Sequence, residues 1–261
     1  MRRLILVICF SLASFFAQSQ TWEVGVSAGA SGYMGDINPV KPYKFTDPAF
    51  GAQFKRNFNG YWSAKASFMQ GRIQGDDAKS SNTYQIDRNL HFRSTISELS
   101  LQVEFNLFNY LPGGLPGFGS RKFSPYLFTG VGAVAFNPVA DYNGSETELR
   151  PLQTEAVEYK KNALSIPYGA GVKYNIKGNW NLIAEIGYRT AFTDYLDDVS
   201  GRYPDPTVTP PASPLSSALS YRSLTPSTAG DQRGDFRPRD TYIFTAISLT
   251  YTFVSVKCPT F

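Results

Sequence analysis

Histidine occurs once and cysteine twice in the 261 residues of this chain, and that scarcity removes several kinds of function at once. Transition-metal centres draw on His and Cys at close spacing, and no such cluster is present. A phosphate-binding loop and a nucleotide fingerprint are missing too, so no cofactor is expected. Cys9 lies in an N-terminal apolar segment, which leaves Cys258 alone and rules out an internal disulfide framework. Charged residues make up only 18% of the chain, and a net charge of +4 is too small for a nucleic-acid surface. Beyond Phe16 no apolar run is long enough for a transmembrane helix.

What the chain does have is alternation. In Trp180-Asn181-Leu182-Ile183-Ala184-Glu185-Ile186-Gly187-Tyr188-Arg189, one face carries Trp180, Leu182, Ala184, Ile186 and Tyr188, and the other carries Asn181, Glu185, Gly187 and Arg189. A two-residue period with aromatics at both ends of the apolar face is the pattern of a membrane-spanning strand. About 9–11 tilted residues cross the hydrocarbon, and the backbone is satisfied only if the sheet closes on itself. The slightly negative mean hydropathy is compatible with this, because only every second strand residue is apolar and the loops are polar.

The same reading gives eight strands: Trp22–Tyr33, Ala49–Arg56, Tyr61–Gly71, Arg93–Leu107, Phe123–Phe136, Leu164–Ile176, the segment from Trp180, and Thr241–Phe253. Asn57–Gly60 and Lys177–Asn179 are short connections, the first expected to turn through positive φ at Asn-Gly. Those near 34–48, 72–92, 137–162 and 195–240 are long. Short turns belong to the periplasm and long loops to the outside, which puts both termini in the periplasm. The expectation is an all-β, eight-stranded, antiparallel transmembrane barrel of the outer membrane over 20–253. Arg2 and Arg3, the apolar stretch Leu4–Phe16 and Ala17-Gln18-Ser19 read as a cleaved signal peptide over 1–19, which implies Sec export. Residues 254–261 form a periplasmic tail. The prolines and small polar residues of 202–231 suggest a mobile outer loop.

Outward Trp22, Trp62, Phe68, Trp180, Tyr188, Tyr251 and Phe253 would contact membrane lipid, a belt that a soluble ligand-carrying barrel would not expose. Inward positions include Lys65, Glu104, Lys173, Glu185 and Arg189, with Lys65 and Glu104 at similar heights. An eight-stranded barrel is just wide enough for side chains to fill it. These charges therefore make either a salt-bridged plug or the lining of a narrow polar channel. His91 with Ser94 could in principle serve a lipid hydrolase, but no second motif element supports catalysis. Asp194, Asp197 and Asp198 lack calcium-loop spacing and read as turn-capping residues. The connection 108–122 is long for a periplasmic turn; Leu111, Leu115 and Phe118 make it either a loose insertion or a protein contact. Cys258 is either an unused thiol or an intermolecular partner.

The segments GDIN (35–38), NLHFRSTISELSLQVEFN (89–106), SPYLFTGVGAVAFNP (124–138), IPYGAGVKY (166–174), EIGYRTAFTDYLDDVSG (185–201) and KCPTF (257–261) together resemble the PorG-like outer-membrane proteins of Bacteroidota, barrels associated with the type IX secretion system. The resemblance implies a non-enzymatic barrel that couples a periplasmic ring, formed by a lipoprotein and its partner, to the outer membrane. It carries over no catalytic residue. The competing reading is a small general barrel, structural or a narrow pore.

Overall fold

Alternation of this kind leaves each strand one face for lipid and one for an interior, and the computed structural model shows where the interior lies. It describes residues 21–39, 45–113, 120–208, 211 and 213–253. The expected signal segment 1–19, the tail 254–261, Leu115, Phe118 and Cys258 lie outside the described residues. The strands are β1 (Thr21–Met34), β2 (Phe45–Asn57), β3 (Trp62–Asp76), β4 (His91–Asn106), β5 (Phe123–Tyr142), β6 (Ser145–Glu148), β7 (Asn162–Lys177), β8 (Trp180–Ala191) and β9 (Thr241–Phe253). Two short helices, α1 (Thr83–Arg88) and α2 (Pro214–Ser220), stand in the loops.

Eight of the strands follow one another as an antiparallel meander in the order β4-β3-β2-β1-β9-β8-β7-β5, and β4 pairs with β5 to close the ring. The seam between first and last strand pairs Trp22 with Phe253 and Met34 with Thr241. The ninth strand, β6, was not foreseen. It folds back on the end of β5 through Asn143 and Gly144, both at positive φ (51° and 80°), as a tight hairpin requires. The turn between β2 and β3 differs from expectation in its chemistry. Neither Asn59 nor Gly60 has positive φ; instead the Asn59 Oδ1 accepts from the amides of Tyr61 and Trp62, each at 2.8 Å.

The outward side chains Leu99, Leu101, Val103 and Phe105 of β4, with Leu107 just beyond its end, form an unbroken apolar row. At a tilt near 40° it rises about 20 Å, close to the height of an outer-membrane belt. Above it the outward residues turn polar: Gln70, Arg72, Gln74 and Asp76 on β3, and Ser97, Thr95, Arg93 and His91 on β4. β3 continues past Gly71 to Asp76, and β5 past Phe136 to Tyr142. Their ends therefore stand about 20 Å clear of the belt, on the side of the long loops. The extra length keeps its inward apolar residues, among them Ile73, Phe92, Phe136 and Ala140, so the strands still have a core to bury there.

That core is roofed by the loops. Within the proline-rich segment 202–231 the described residues make several contacts with the rest of the cap. Its α2 has Pro214 in the first turn and Ser213 as its cap, with Ser213 Oγ accepting from the Ser216 amide at 3.1 Å. Leu219 enters the core, Ser216 Oγ donates to the Leu152 carbonyl at 2.6 Å, Tyr203 stacks on Tyr221 at 5.3 Å, and Arg202 bridges to Gln232. Anchors of this kind are not visible in composition, and prolines lower the entropy lost on ordering.

Candidate functional site

The interior divides into two storeys. The lower one, toward the short turns, is built by inward residues of six strands around Glu104 of β4. Lys173 donates to Glu104 at 2.6 Å, and the ammonium groups of Lys55 and Lys65 lie 3.0 and 3.3 Å from it. Lys65 also reaches Glu185 at 2.8 Å, and Lys55 lies 3.8 Å from Glu23. Ser63 donates to Glu104 at 3.0 Å, Tyr126 to Glu185 at 2.7 Å, and Lys173 to Asn106 at 2.8 Å. Three lysines thus face three glutamates, and the cluster is neutral. Five of the six are nearly inaccessible to solvent, with Glu104 at 0%, and Glu185 is 10% exposed. Burying charge is tolerable only with this degree of pairing. Gly171 on β7 leaves room for the Tyr126 ring, which a Cβ there would meet at 2.6 Å.

One level up, Arg189 pairs with Glu98 at 3.4 Å, and Tyr242 donates to the same carboxylate at 2.6 Å. Arg189 therefore belongs to a separate layer from Lys65, Glu104, Lys173 and Glu185. Lys55, Glu23 and Glu98 join these layers beyond the expected inward charges. All three occupy inward positions by the same two-residue rule, Lys55 opposite Phe54 and Glu23 between Trp22 and Val24. Serine pairs fill the walls between layers, Ser27 with Ser248 at 2.7 Å and Ser67 with Ser100 at 3.0 Å.

The upper storey is apolar. Tyr33, Ile73, Phe92, Ile96, Val134, Phe136 and Phe244 pack across the lumen, and Ile37, Leu90, Leu149, Leu196, Val199 and Leu219 continue the cluster into the cap. Among the described residues a charged layer below and an apolar layer above fill the interior with side chains.

Outside, the aromatics form two girdles. The lower holds Trp22 stacked on Phe54 at 4.8 Å, Trp62 against Phe105 at 4.8 Å, and Trp180, Tyr251 and Phe253 in edge contacts of 5.1 Å. The upper includes Phe68 and the stacked pair Tyr168 and Tyr188. Below the barrel, Leu111 is half-buried and its amide is held by Ser120 Oγ at 2.9 Å.

His91 and Ser94 do not meet. His91 sits on the outer wall and accepts from the Asp141 amide at 3.1 Å, whereas Ser94 is buried within and accepts from the Asn137 amide at 3.1 Å. The hydrolase arrangement is not assembled.

The cap holds a second set of charges. Arg88 of α1 clasps Asp77 at 2.7 Å and donates to the carbonyls of Asp36 and Arg233 at 2.9 and 2.5 Å. Arg233 pairs with Glu155 at 2.9 Å and donates to the Asp198 carbonyl at 2.9 Å. Asp197 Oδ1 accepts from the Val199 amide at 2.9 Å, a turn-capping bond, while its Oδ2 accepts from Tyr33. Burial, reinforced by neighbouring Asp194 and Asp235, lifts Asp36 to about 7; burial lifts Asp194 and Asp198 to about 6. Asp197 and Asp240 are pushed well above the carboxylate range by burial first, and then by Asp36 in the case of Asp197 and by Asp197 and Asp36 in the case of Asp240.

A closed eight-stranded antiparallel barrel with an apolar belt, aromatic girdles and a filled lumen defines a membrane-spanning barrel of the outer-membrane type. The chain belongs to the DUF6089 family, a domain of unknown function whose model matches residues 2–208. Among solved structures it is similar to Ail, the attachment invasion locus protein of Yersinia pestis (13% identity over 90% of this chain and 100% of that one, TM-score 0.43). It is also similar to OprG of Pseudomonas aeruginosa (9%, 90% and 96%, TM-score 0.42) and to the outer membrane protease OmpT of Escherichia coli (10%, 89% and 97%, TM-score 0.36). No curated protein matches the chain.

Proposed function

We propose that this protein is a non-enzymatic barrel that works as a fixed outer-membrane anchor for a periplasmic assembly, as a component of the type IX secretion system. The observation that carries the anchor reading is the packed interior. Among the described residues the Glu104 cluster below and the Tyr33–Phe244 core above fill the lumen with side chains, which leaves the two ends of the barrel as the places for it to act. The assignment to secretion rests on the resemblance to PorG-like proteins, an associational warrant. The extended connection 107–122 is the segment best placed for the periplasmic ring, because it departs from the short turns that barrels otherwise use on that side.

The test is a pull-down of the tagged protein from outer membranes in mild detergent, read by mass spectrometry. Ring proteins that co-purify and are lost on deletion of 111–119 support the reading. Recovery of the barrel alone, with secretion intact in a deletion strain, refutes it and leaves a general outer-membrane barrel.

A further inference from the structure

Three aspartates far apart in sequence converge in the cap. Asp36 follows β1, Asp194 leaves β8 and Asp240 enters β9, and each presents one carboxylate oxygen within 4.8 Å of the other two. Asp36 is 2% exposed, Asp194 9% and Asp240 0%. Three buried carboxylates so close need compensation. The arginines of the cap provide little of it: Arg88 is paired with Asp77 and favours the Asp36 charge only from a distance, and Arg233 is paired with Glu155. Among the described residues no lysine or arginine forms an ion pair with Asp36, Asp194 or Asp240.

Hydrogen bonds account for only part of the cluster. Asp240 Oδ2 accepts from the Leu196 amide at 2.9 Å, Asp194 Oδ2 from Ser200 Oγ at 2.7 Å, and Asp36 Oδ1 from the Asp235 amide. Asp36 Oδ2 is different: it is buried, and no donor reaches it. A buried carboxylate oxygen with no donor, beside two further carboxylates, is open to a cation. Gly35 permits the approach, because a Cβ there would collide with Asp240 Oδ1 and the Tyr33 hydroxyl.

We propose that Asp36, Asp194 and Asp240 form a calcium-binding site that ties the first outer loop to both ends of the last. The donors are all hard oxygens, which selects against zinc and copper. They come from irregular loop backbone, which suits the variable coordination and 2.3–2.6 Å bonds of calcium better than the tight octahedron of magnesium. Three carboxylates supply part of the usual six to eight ligands, and water completes the shell.

The experiment uses the full barrel refolded in detergent and stripped with EDTA. Calcium is titrated calorimetrically, with magnesium and zinc in parallel. Terbium is titrated alongside with excitation of tyrosine, since the Tyr33 hydroxyl lies 3.4 Å from Asp240 Oδ1. The expected result is one calcium per chain, tyrosine-sensitised terbium emission that calcium displaces, and affinity at least tenfold weaker in Asp36→Asn and in Asp240→Asn. Heat-dependent gel mobility shows that each variant has folded, and the wild-type stoichiometry and emission stand without the variants. Absence of calcium binding and terbium emission in the wild type overturns the proposal. So does binding unchanged in both folded variants, or a site that takes zinc in preference to calcium.

Discussion

Glu104→Gln removes one negative charge and leaves the shape of the side chain nearly intact. In the folded barrel that oxygen pair faces three ammonium groups at 2.6, 3.0 and 3.3 Å. After the substitution Lys55, Lys65 and Lys173 share only Glu23 and Glu185, and a neutral buried cluster becomes singly positive. Breaking a buried pair by removing one partner costs roughly 3–5 kcal/mol. At a urea dependence of about 2 kcal/mol per M, a 4 kcal/mol loss moves the unfolding midpoint down by about 2 M. The assay is urea unfolding in lipid vesicles followed by intrinsic fluorescence. It is well conditioned because all three tryptophans, Trp22, Trp62 and Trp180, lie in the lower girdle and leave the lipid together on unfolding. Adding Lys173→Met restores neutrality, and the double variant is expected to regain at least half the loss. A midpoint shift below about 0.5 M in Glu104→Gln, or no recovery in the double variant, refutes the claim that the lumen is held by a balanced charge cluster.

Leu101→Arg places a charge on the lipid face near mid-belt, where Leu101 is 64% exposed, and the same assay is expected to show a loss of about 2–4 kcal/mol, against less than 1 for Gln70→Arg above the belt. Purified protein in planar bilayers is expected to give no steady single-channel current, since the apolar upper storey closes the lumen; reproducible steps would contradict it. Arg88→Met removes the clasp on Asp77 and the bonds to Asp36 and Arg233. Trypsin added to cells should then cut within 202–239 several-fold faster while the heat-modifiable barrel survives; an unchanged cleavage rate would show that Arg88 does not hold the cap.

How far the sequence could be read follows from the range of the interactions concerned. Alternation is local, so the eight strands and the outward faces of Trp62, Leu101 and Trp180 could be read from a window of ten residues. Inward parity also placed Lys65 and Glu104 on adjacent strands. The membership of the cluster depended on register across the whole ring, and Lys55 and Glu23 entered it only once the barrel was closed. The cap was illegible for the same reason taken further. Asp36 and Asp240 are brought together by the β1–β9 seam, and no spacing rule links residues so distant. In 202–231, composition cannot register that Leu219 and Tyr203 are buried against the rest of the cap.

The seam itself has a consequence for how this protein is made. Pairing β1 with β9 means that the ring cannot be completed piecemeal, because the strand that satisfies the open edge of β1 is the last of the nine to be synthesised. Until Thr241–Phe253 arrives, β1 and β8 offer unpaired backbone that hydrocarbon cannot solvate. Closure of the ring therefore requires the whole chain. The family match ends at residue 208, within the last outer loop, so the stretch beyond it carries the closing strand. A lineage can vary what that loop displays to the outside, but any change that delays or misregisters the strand after it forfeits the barrel.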